Sequence, residues 1–319
     1  MADDRDNPNA FKHWYDPAAA KRLAKRFAHV EGFQTKRFLR AALKDLDALE
    51  MMDRVRQWSA ALRRELPESV PEMLAALVSA LPPVLADDDQ VTDGFLLWPL
   101  GQLIADHAAG DPADVHVAMH AMMELTQRFS SEFAVRPFVA QYPEPVLAQL
   151  LAWTSHPSHH VRRWCSEGTR PRLPWGARLR ALDEDPAPVL PILEALRDDP
   201  ELYVRRSVAN HLNDIAKAHP ALVLKIARRW WKKPKGEPEA RTEARRKLVR
   251  HALRSLIKAG DPKALAILGY RPPKDLRATL RAHPKKVAIG GGVQLTLELH
   301  NAAKSPQSVL IDYRVHYVK

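Results

Sequence analysis

The sequence has few of the residues on which several common classes of protein depend. Of its 319 residues, only Cys165 is a cysteine and 12 are glycine. One cysteine excludes a disulfide framework and any zinc site built on several cysteines, and it is typical of a reducing compartment. No apolar run reaches the roughly 18 residues that a membrane-spanning helix needs, and the acidic, polar first residues are unlike a signal peptide. We therefore expect a cytoplasmic protein without a membrane partner.

Motifs for metal and cofactor chemistry are also missing. There is no HExxH, P-loop, dinucleotide fingerprint or G-x-S-x-G elbow. His159 and His160 are adjacent but have no further metal ligand at a suitable spacing. The three glycines at 290–292 lack the Lys-Ser/Thr pair and the helix of a phosphate-binding loop, so they predict a turn. We expect neither a metal nor a cofactor.

Acidic residues are scarce in one long stretch of the chain. Residues 200–286 contain 23 Lys/Arg and 7 Asp/Glu, a local excess of 16 positive charges, whereas the whole chain carries a net charge of +11. A basic stretch on an otherwise slightly acidic chain indicates a polyanionic partner, most simply nucleic acid.

Apolar residues recur three and four positions apart from residue 17 to about residue 280, which predicts amphipathic helices. The first is expected over 18–27, with Asp16 as its N-cap and Pro17 at its first position. Further helices are expected over 70–80, 115–128 and 189–197. Prolines cluster between these segments, where they start and stop helices. This portion of the chain is therefore predicted to be all-α.

The helical portion contains an internal repeat. The pattern His156-Pro157 followed by Val161-Arg162-Arg163 recurs 43 residues later as Asp199-Pro200 and Val204-Arg205-Arg206, with a looser copy around Arg245-Arg246. A period near 40 is typical of HEAT-like repeats, whose helix pairs stack into a solenoid with a concave face. Repeated arginines can simply be solvated helix surface, but their register favours phosphate contacts on the concave face. The predicted contacts are Arg162, Arg163, Arg205, Arg206, Arg245, Arg246 and Arg250.

The pattern changes to two-residue alternation after Pro284. Apolar residues alternate over 287–299 and again over 309–317, which predicts two or three β-strands with turns at 290–292 and 301–307. We accordingly divide the chain into a helical domain, 1–283, and a β-strand segment, 284–319. The segment is too short for an independent sandwich, which needs about 100 residues in immunoglobulin-like folds.

Three stretches carry a resemblance to a known family: FSSEFAVRPF (129–138), VRRWCSEGTRPRLPWG (161–176) and VRRSVANHLNDIAK (204–217). Together they resemble the AlkC type of HEAT-like DNA alkylation-repair glycosylase. Other members carry a C-terminal immunoglobulin-like domain, and residues 285–319 look like its opening strands. The resemblance implies excision of small cationic bases, typically 3-methyladenine and 3-methylcytosine, without an AP-lyase step and without full extrusion of the lesion.

Three acidic residues lie inside these stretches: Glu132, Glu167 and Asp214. A cationic base is already a good leaving group, so catalysis requires stabilisation of an oxocarbenium-like sugar and positioning of water, which carboxylates provide. An acid among DNA-binding arginines weakens binding unless it has another role. The alternative is that the three acids form structural salt bridges with Arg136, Arg163 or Arg206.

Three tryptophans, Trp153, Trp164 and Trp175, bracket Glu167 in the sequence. Buried tryptophan in a solenoid is usually core, but a flat aromatic wall also attracts a cationic base or a sugar. We expect Trp164 to line the site because it adjoins the arginine pair.

Together these features predict a monomeric, monofunctional N-glycosylase that acts on double-stranded DNA containing alkylated bases and needs no obligate protein partner. The alternative function is a non-catalytic HEAT-repeat scaffold that binds DNA or an acidic protein.

Overall fold

The computed structural model describes residues 10–84, 91–288 and 290–311, and these form sixteen α-helices followed by one β-hairpin. The first eight helices are α1 (Pro17–Arg26), α2 (Thr35–Ala42), α3 (Met51–Arg63), α4 (Val70–Ser79), α5 (Trp98–His107), α6 (Val115–Thr126), α7 (Arg136–Gln141) and α8 (Pro143–Ala152). The others are α9 (His159–Glu167), α10 (Arg180–Glu184), α11 (Leu190–Leu196), α12 (Leu202–Ala216), α13 (Pro220–Trp231), α14 (Glu239–Ala252), α15 (Arg254–Lys258) and α16 (Pro262–Ile267). None of the helices in these residues is long and apolar enough to cross a membrane.

The helix boundaries follow local signals in the sequence. Asp16 caps α1 by accepting a hydrogen bond from the backbone N–H of Ala19 at 2.6 Å, and Pro17 occupies the first helical position. The helices predicted over 70–80, 115–128 and 189–197 are α4, α6 and α11, each within a few residues of its predicted ends. The all-α prediction for this part of the chain is therefore confirmed.

The helices pack mainly against near neighbours in the chain, as expected for a repeat solenoid. In the C-terminal half, α12 contacts α9, α13 and α14. Further back along the chain, α3 packs against α2 and α5, and α4 packs against α6. A single continuous apolar core runs through the stack.

The first arginine of each repeated V-R-R motif ties its helix to the turn before it. Arg162 Nη1 donates to the carbonyls of His156 and Pro157 at 2.9 and 2.8 Å. Arg205 Nη1 donates in the same way to the carbonyls of Asp199 and Pro200, at 2.5 and 2.7 Å. The 43-residue repeat thus corresponds to a repeated structural unit in which the arginine satisfies backbone carbonyls of the turn.

Two antiparallel strands, β1 (Leu276–His283) and β2 (Gln294–Asn301), form the hairpin, with Leu280 opposite Leu297. The predicted turn at 290–292 is present, because Gly291 N–H donates to the Ala288 carbonyl and Gly290 has a φ of +88°. The helical pattern predicted up to about residue 280 is wrong at its end, since β1 begins at Leu276. The division of the chain at 283/284 stays a prediction. The residues of β1 alternate between apolar and polar, and this two-residue period is that of a strand. Residues 309–311 are not in a strand, and the rest of the strand predicted over 309–317 lies outside the described residues.

Candidate active site

The structure brings the three predicted acids into one network. Glu132 precedes α7, Glu167 is the last residue of α9 and Asp214 lies in α12. Arg163 joins the first pair, since its Nη1 forms an ion pair with Glu132 Oε2 and its Nη2 lies 3.4 Å from Glu167 Oε1. Arg170 joins the second pair: its Nη1 is 2.6 Å from Glu167 Oε1, and its Nε and Nη2 are each 2.9 Å from Asp214 Oδ2. Carboxylates that are 35 and 47 residues apart in the chain are thus connected by two guanidinium groups.

Solvent reaches the three acids unequally. The side chain of Glu132 is 15% exposed, that of Glu167 is 6% exposed and that of Asp214 is 2% exposed. Glu132 is therefore the member of the network that an incoming molecule would meet first, and Asp214 is the deepest.

The arginines keep Glu167 ionised in spite of its burial. Burial alone would raise the pKa of Glu167, but the charges of Arg163 and Arg170 outweigh it and hold the pKa below its ordinary value. Burial alone would lower the pKa of Arg163, but the negative charges of Glu132 and Glu167 outweigh this effect and raise the pKa of that guanidinium. At neutral pH Glu167 and Arg163, at the centre of the network, are therefore both charged and do not act as proton donors or acceptors.

Neutral polar groups hold α12 against α9 beside the acids. Ser207 Oγ lies 3.0 Å from Ser166 Oγ, and His211 Nδ1 lies 2.9 Å from the Ser166 carbonyl. Burial lowers the pKa of His211 to about 3, so the ring is neutral and its Nδ1–H donates to that carbonyl. His211 therefore positions Glu167 and Asp214 through helix packing and carries no charge at neutral pH.

Arg136 shapes the loop that follows α9. Its Nη1 donates to the carbonyls of Gly168 and Arg170 at 3.1 and 2.9 Å, and its Nε donates to the Ala177 carbonyl at 2.6 Å. Burial, together with the charge of Arg170, lowers the pKa of Arg136 to about 10, which leaves it protonated at neutral pH. Arg136 anchors both ends of the 168–177 loop and does not pair with the candidate acids. Of the arginines that the salt-bridge alternative named, Arg163 does pair with two of the acids, Glu132 and Glu167.

The structure corrects the choice of tryptophan. Trp164 is 1% exposed, with its ring 5.7 Å from that of Trp153, so it is a core residue and cannot face a ligand. Trp175 is instead 74% exposed and has a φ of +63°. This left-handed conformation costs a bulky residue on the order of 1–3 kcal/mol, and such strain is concentrated at functional sites. Pro174 and Gly176 flank Trp175 in the sequence, and this pattern predicts a turn there.

The structure also corrects the prediction for Arg245, whose side chain is 3% exposed. All five of its N–H groups donate within the protein, to Asp198, to Glu237 and to the carbonyls of Trp230 and Lys232. No donor is left for a phosphate, so Arg245 joins α14 to its neighbours instead.

The other predicted arginines differ in how far the protein engages them. Arg162 uses four of its five N–H groups on Asp199 and on the turn carbonyls, and Arg163 is held by the acids and by Tyr203, whose ring centre is 5.1 Å from its Cζ. Phosphate contact stays a prediction for the arginines that have free donors, which are Arg162 with one N–H left, Arg205, Arg206, Arg246 and Arg250.

A basic groove between α12 and α14 lies beside the acids. Its walls include Arg205, Arg206, Lys247 and His251, around a cavity of about 150 Å³. Burial lowers the pKa of His251, and the positive charges of Arg254 and Arg206 lower it further. Arg254 is thus close to His251 and borders the groove. Arg254 is also close enough for the charge of Asp214 to act on its pKa, so the groove adjoins the deepest acid. Sequence reasoning missed Lys247 and Arg254, although both belong to the basic stretch.

Comparisons with known proteins support one family. Residues 277–319 match the family model described as "Uncharacterised protein YhaZ, C-terminal Ig-like domain". Over 295 residues, the chain is 37% identical to "Uncharacterized protein YhaZ" of Bacillus subtilis (strain 168), covering 90% of this chain and 75% of that protein. The structure is similar to that of the alkylpurine DNA glycosylase AlkC of Pseudomonas fluorescens, solved bound to DNA that contains an abasic site analog. The TM-score is 0.80 at 33% sequence identity, covering 93% of this chain and 79% of that chain.

Proposed function

The chain belongs to the AlkC-type family of HEAT-like repeat proteins, and we propose that it is a monofunctional DNA N-glycosylase that excises cationic N-alkylated bases. The substrates are double-stranded DNA containing 3-methyladenine or 3-methylcytosine. The observation that carries the proposal is the linkage of Glu132, Glu167 and Asp214 by Arg163 and Arg170 in a fold similar to that of AlkC. Our proposal further includes action as a monomer in the cytoplasm, without metal, cofactor or protein partner.

The chemistry of a cationic base fits a network of fixed negative charges. Alkylation at N3 makes the base positive, so the base leaves without being protonated and a general acid is not needed. As the glycosidic bond breaks, positive charge moves to the sugar, where ionised carboxylates in a site of low dielectric constant stabilise it. Glu132, the most exposed of the three, meets the sugar and the attacking water, and the buried acids add their charge from behind.

The guanidinium groups keep these charges in place. Without Arg163 and Arg170, the three carboxylates would repel each other, and burial would raise the pKa of Glu167. Pairing keeps Glu167 ionised. The network thus supplies negative charge to the sugar, while the arginines with free donors outside it contact the phosphates.

Release of free base from methylated DNA tests this function. Purified protein is incubated with methylated DNA in EDTA, and the released bases are separated and quantified. We expect 3-methyladenine and 3-methylcytosine to be released without added metal. Tight binding to the same DNA without release of any base would instead support the non-catalytic scaffold.

The basic groove predicts how DNA affinity depends on salt. With about five phosphate contacts, from Arg205, Arg206 and Lys247 in the groove, Arg254 at its border and Arg250 elsewhere on α14, a plot of log affinity against log salt has an expected slope near −4 to −5. Replacing Arg206 or Lys247 with glutamine should make the slope shallower by about 1. Binding of undamaged duplex is measured by fluorescence anisotropy over a series of salt concentrations.

Lys225→Gln is the matched control for that series. Lys225 is an exposed cation on α13, outside the basic groove, and its replacement should leave the slope unchanged. A wild-type slope near zero, or an equal effect of Lys225→Gln, would mean that the groove serves another partner.

A further inference from the structure

The second arginine of the V-R-R motif has a different environment in each of its two copies. Arg163 and Arg206 occupy the same position in the 43-residue repeat. Arg163 joins Glu132 to Glu167, and its side chain is 16% exposed. Arg206 is exposed and lines the basic groove. Since phosphates attract both guanidinium groups, Arg163 needs a restraint that keeps it with the acids when DNA binds.

Tyr203 supplies such a restraint. Arg163 Cζ lies over the ring of Tyr203, 5.1 Å from its centre and within the roughly 6 Å over which an aromatic face attracts a cation. Glu132 and Glu167 pair with the nitrogens of the same guanidinium. Two carboxylates and one ring therefore act together to hold Arg163 in one place.

The position of Tyr203 near the start of α12 aligns its ring with the network. Tyr203 precedes Ser207 by four residues and Asp214 by eleven, so the three share one face of the helix. His159 and His160 of α9 lie edge-on to the ring, with their centres 6.1 and 6.0 Å from its own. The packing of α9 against α12 thus fixes the ring at the end of the face that carries the acids.

A role in the core does not account for Tyr203, because the residue is 43% exposed. Partial burial raises the pKa of its phenol, and the charge of Arg163 offsets this effect while those of Glu132 and Glu167 add to it. The phenol is therefore neutral at pH 7, and the acids are close enough for their charges to act on it. The ring forms part of the border between the network and solvent.

We propose that Tyr203 is a positioning residue that keeps Arg163 paired with Glu132 when the phosphates of DNA approach; this inference rests on the proposed function. With the ring in place, Arg163 stays with the acids and Glu132 keeps its direction towards the sugar. Without the ring, Arg163 turns to a phosphate, as we expect of Arg206, and Glu132 loses the cation that directs it.

Tyr203→Leu tests this role, because it removes the ring at a partly exposed position. At saturating DNA we expect the single-turnover rate of base release to fall about 5- to 30-fold, the equivalent of one cation–π contact. Affinity for DNA should hold or rise, because Arg163 gains a phosphate. Misfolding would instead lower the rate, the affinity and the urea midpoint together. Tyr203→Phe keeps the ring and should retain most of the rate.

Binding of undamaged duplex gives a second measurement that requires no excision. Release of Arg163 adds one phosphate contact, so the slope of log affinity against log salt should become steeper by about 1 in Tyr203→Leu. The slope should not change in Tyr203→Phe. Trp231→Leu is the matched control, since it removes a ring whose centre is 5.5 Å from Cζ of Arg246, a cation outside the network. Its rate at saturating DNA should equal that of the wild type.

The outcomes separate this inference from the proposed function. Equal rates and equal slopes for wild type and Tyr203→Leu, in a protein that releases base, would overturn the inference alone. An equal fall in rate for Tyr203→Leu and Tyr203→Phe would also contradict it, because the hydroxyl rather than the ring would then be required. A steeper slope for Tyr203→Leu in a protein that releases no base would overturn the proposed function and leave the restraint on Arg163 standing.

Discussion

Replacing Arg170 with methionine is expected to lower the free energy of unfolding by about 3–5 kcal/mol at pH 7, the range for breaking a buried ion pair from one side. Arg170 is the guanidinium between Glu167 and Asp214, whose side chains are 6% and 2% exposed. Without it both carboxylates stay buried, with Arg163 and Lys217 as their remaining cations. Urea denaturation of the two proteins measures the difference.

The expected loss depends on pH in a direction that the pKa of Glu167 sets. In the wild type this pKa is below its ordinary value, so the ionised form contributes stability at neutral pH that is lost as the pH falls through the folded pKa. In Arg170→Met the pKa of Glu167 rises, and protonation relieves the buried charge. The difference in stability should therefore shrink as the pH approaches the ordinary carboxyl value of about 4.3.

Arg172→Met is the matched control for Arg170→Met. Arg172 also pairs with a buried acid, Asp183, but that acid keeps Arg178 as a second partner and the side chain of Arg172 is 29% exposed. A loss of about 1 kcal/mol or less is expected there. Equal losses in the two variants, or a loss from Arg170→Met that does not change with pH, would contradict the assigned network.

Asp214→Asn should reduce single-turnover excision by about 10²–10³-fold, the usual effect of losing one preorganised electrostatic group. Asparagine keeps the size of the side chain and an oxygen that can accept from Arg170, but it loses the negative charge that the sugar needs as the bond breaks. Affinity for DNA should hold or rise slightly, because a negative charge is lost next to the basic groove, where we expect phosphates to bind. Excision of 3-methyladenine and a binding titration are measured on the same protein.

Asp199→Asn provides the control for that measurement. Asp199 is 3% exposed and also pairs with an arginine, Arg162, but it lies outside the acid network. Its replacement should leave the excision rate at a similar level to the wild type once the protein is saturated with DNA. Unchanged excision in Asp214→Asn would make Asp214 structural, and equal losses of binding and rate would favour the scaffold.

Local patterns predicted the helices and the repeat because short-range signals set both. The N-cap at Asp16 and the 43-residue spacing of the V-R-R motifs act within one or two helices, so they can be read without knowing the packing. The strand β1 was missed because its small alternating residues, Ala278 and Ala282, give a weak two-residue pattern beside the long helical region.

The acids were predicted correctly as a cluster from the sequence, but the roles of the basic and aromatic side chains were harder to predict. Whether a guanidinium is free for DNA depends on long-range partners such as Asp198 for Arg245, and charge counts do not contain this information. The burial of Trp164 did have a local signal, since Val161, Trp164 and Cys165 share one apolar face of α9 and are all 1% exposed or less. The exposure of Trp175 follows from the loop that Arg136 holds, a contact across 41 residues.

Product analysis on a defined duplex tests the central claim most directly. A duplex with one 3-methylcytosine and an end label is incubated with excess protein in EDTA, and the products are resolved on a denaturing gel with and without alkali. The account predicts release of the free base and a labelled strand that stays intact until alkali cleaves it at the abasic site. A strand that alkali does not cleave, or one already cut before alkali, would contradict a monofunctional glycosylase built on this carboxylate network.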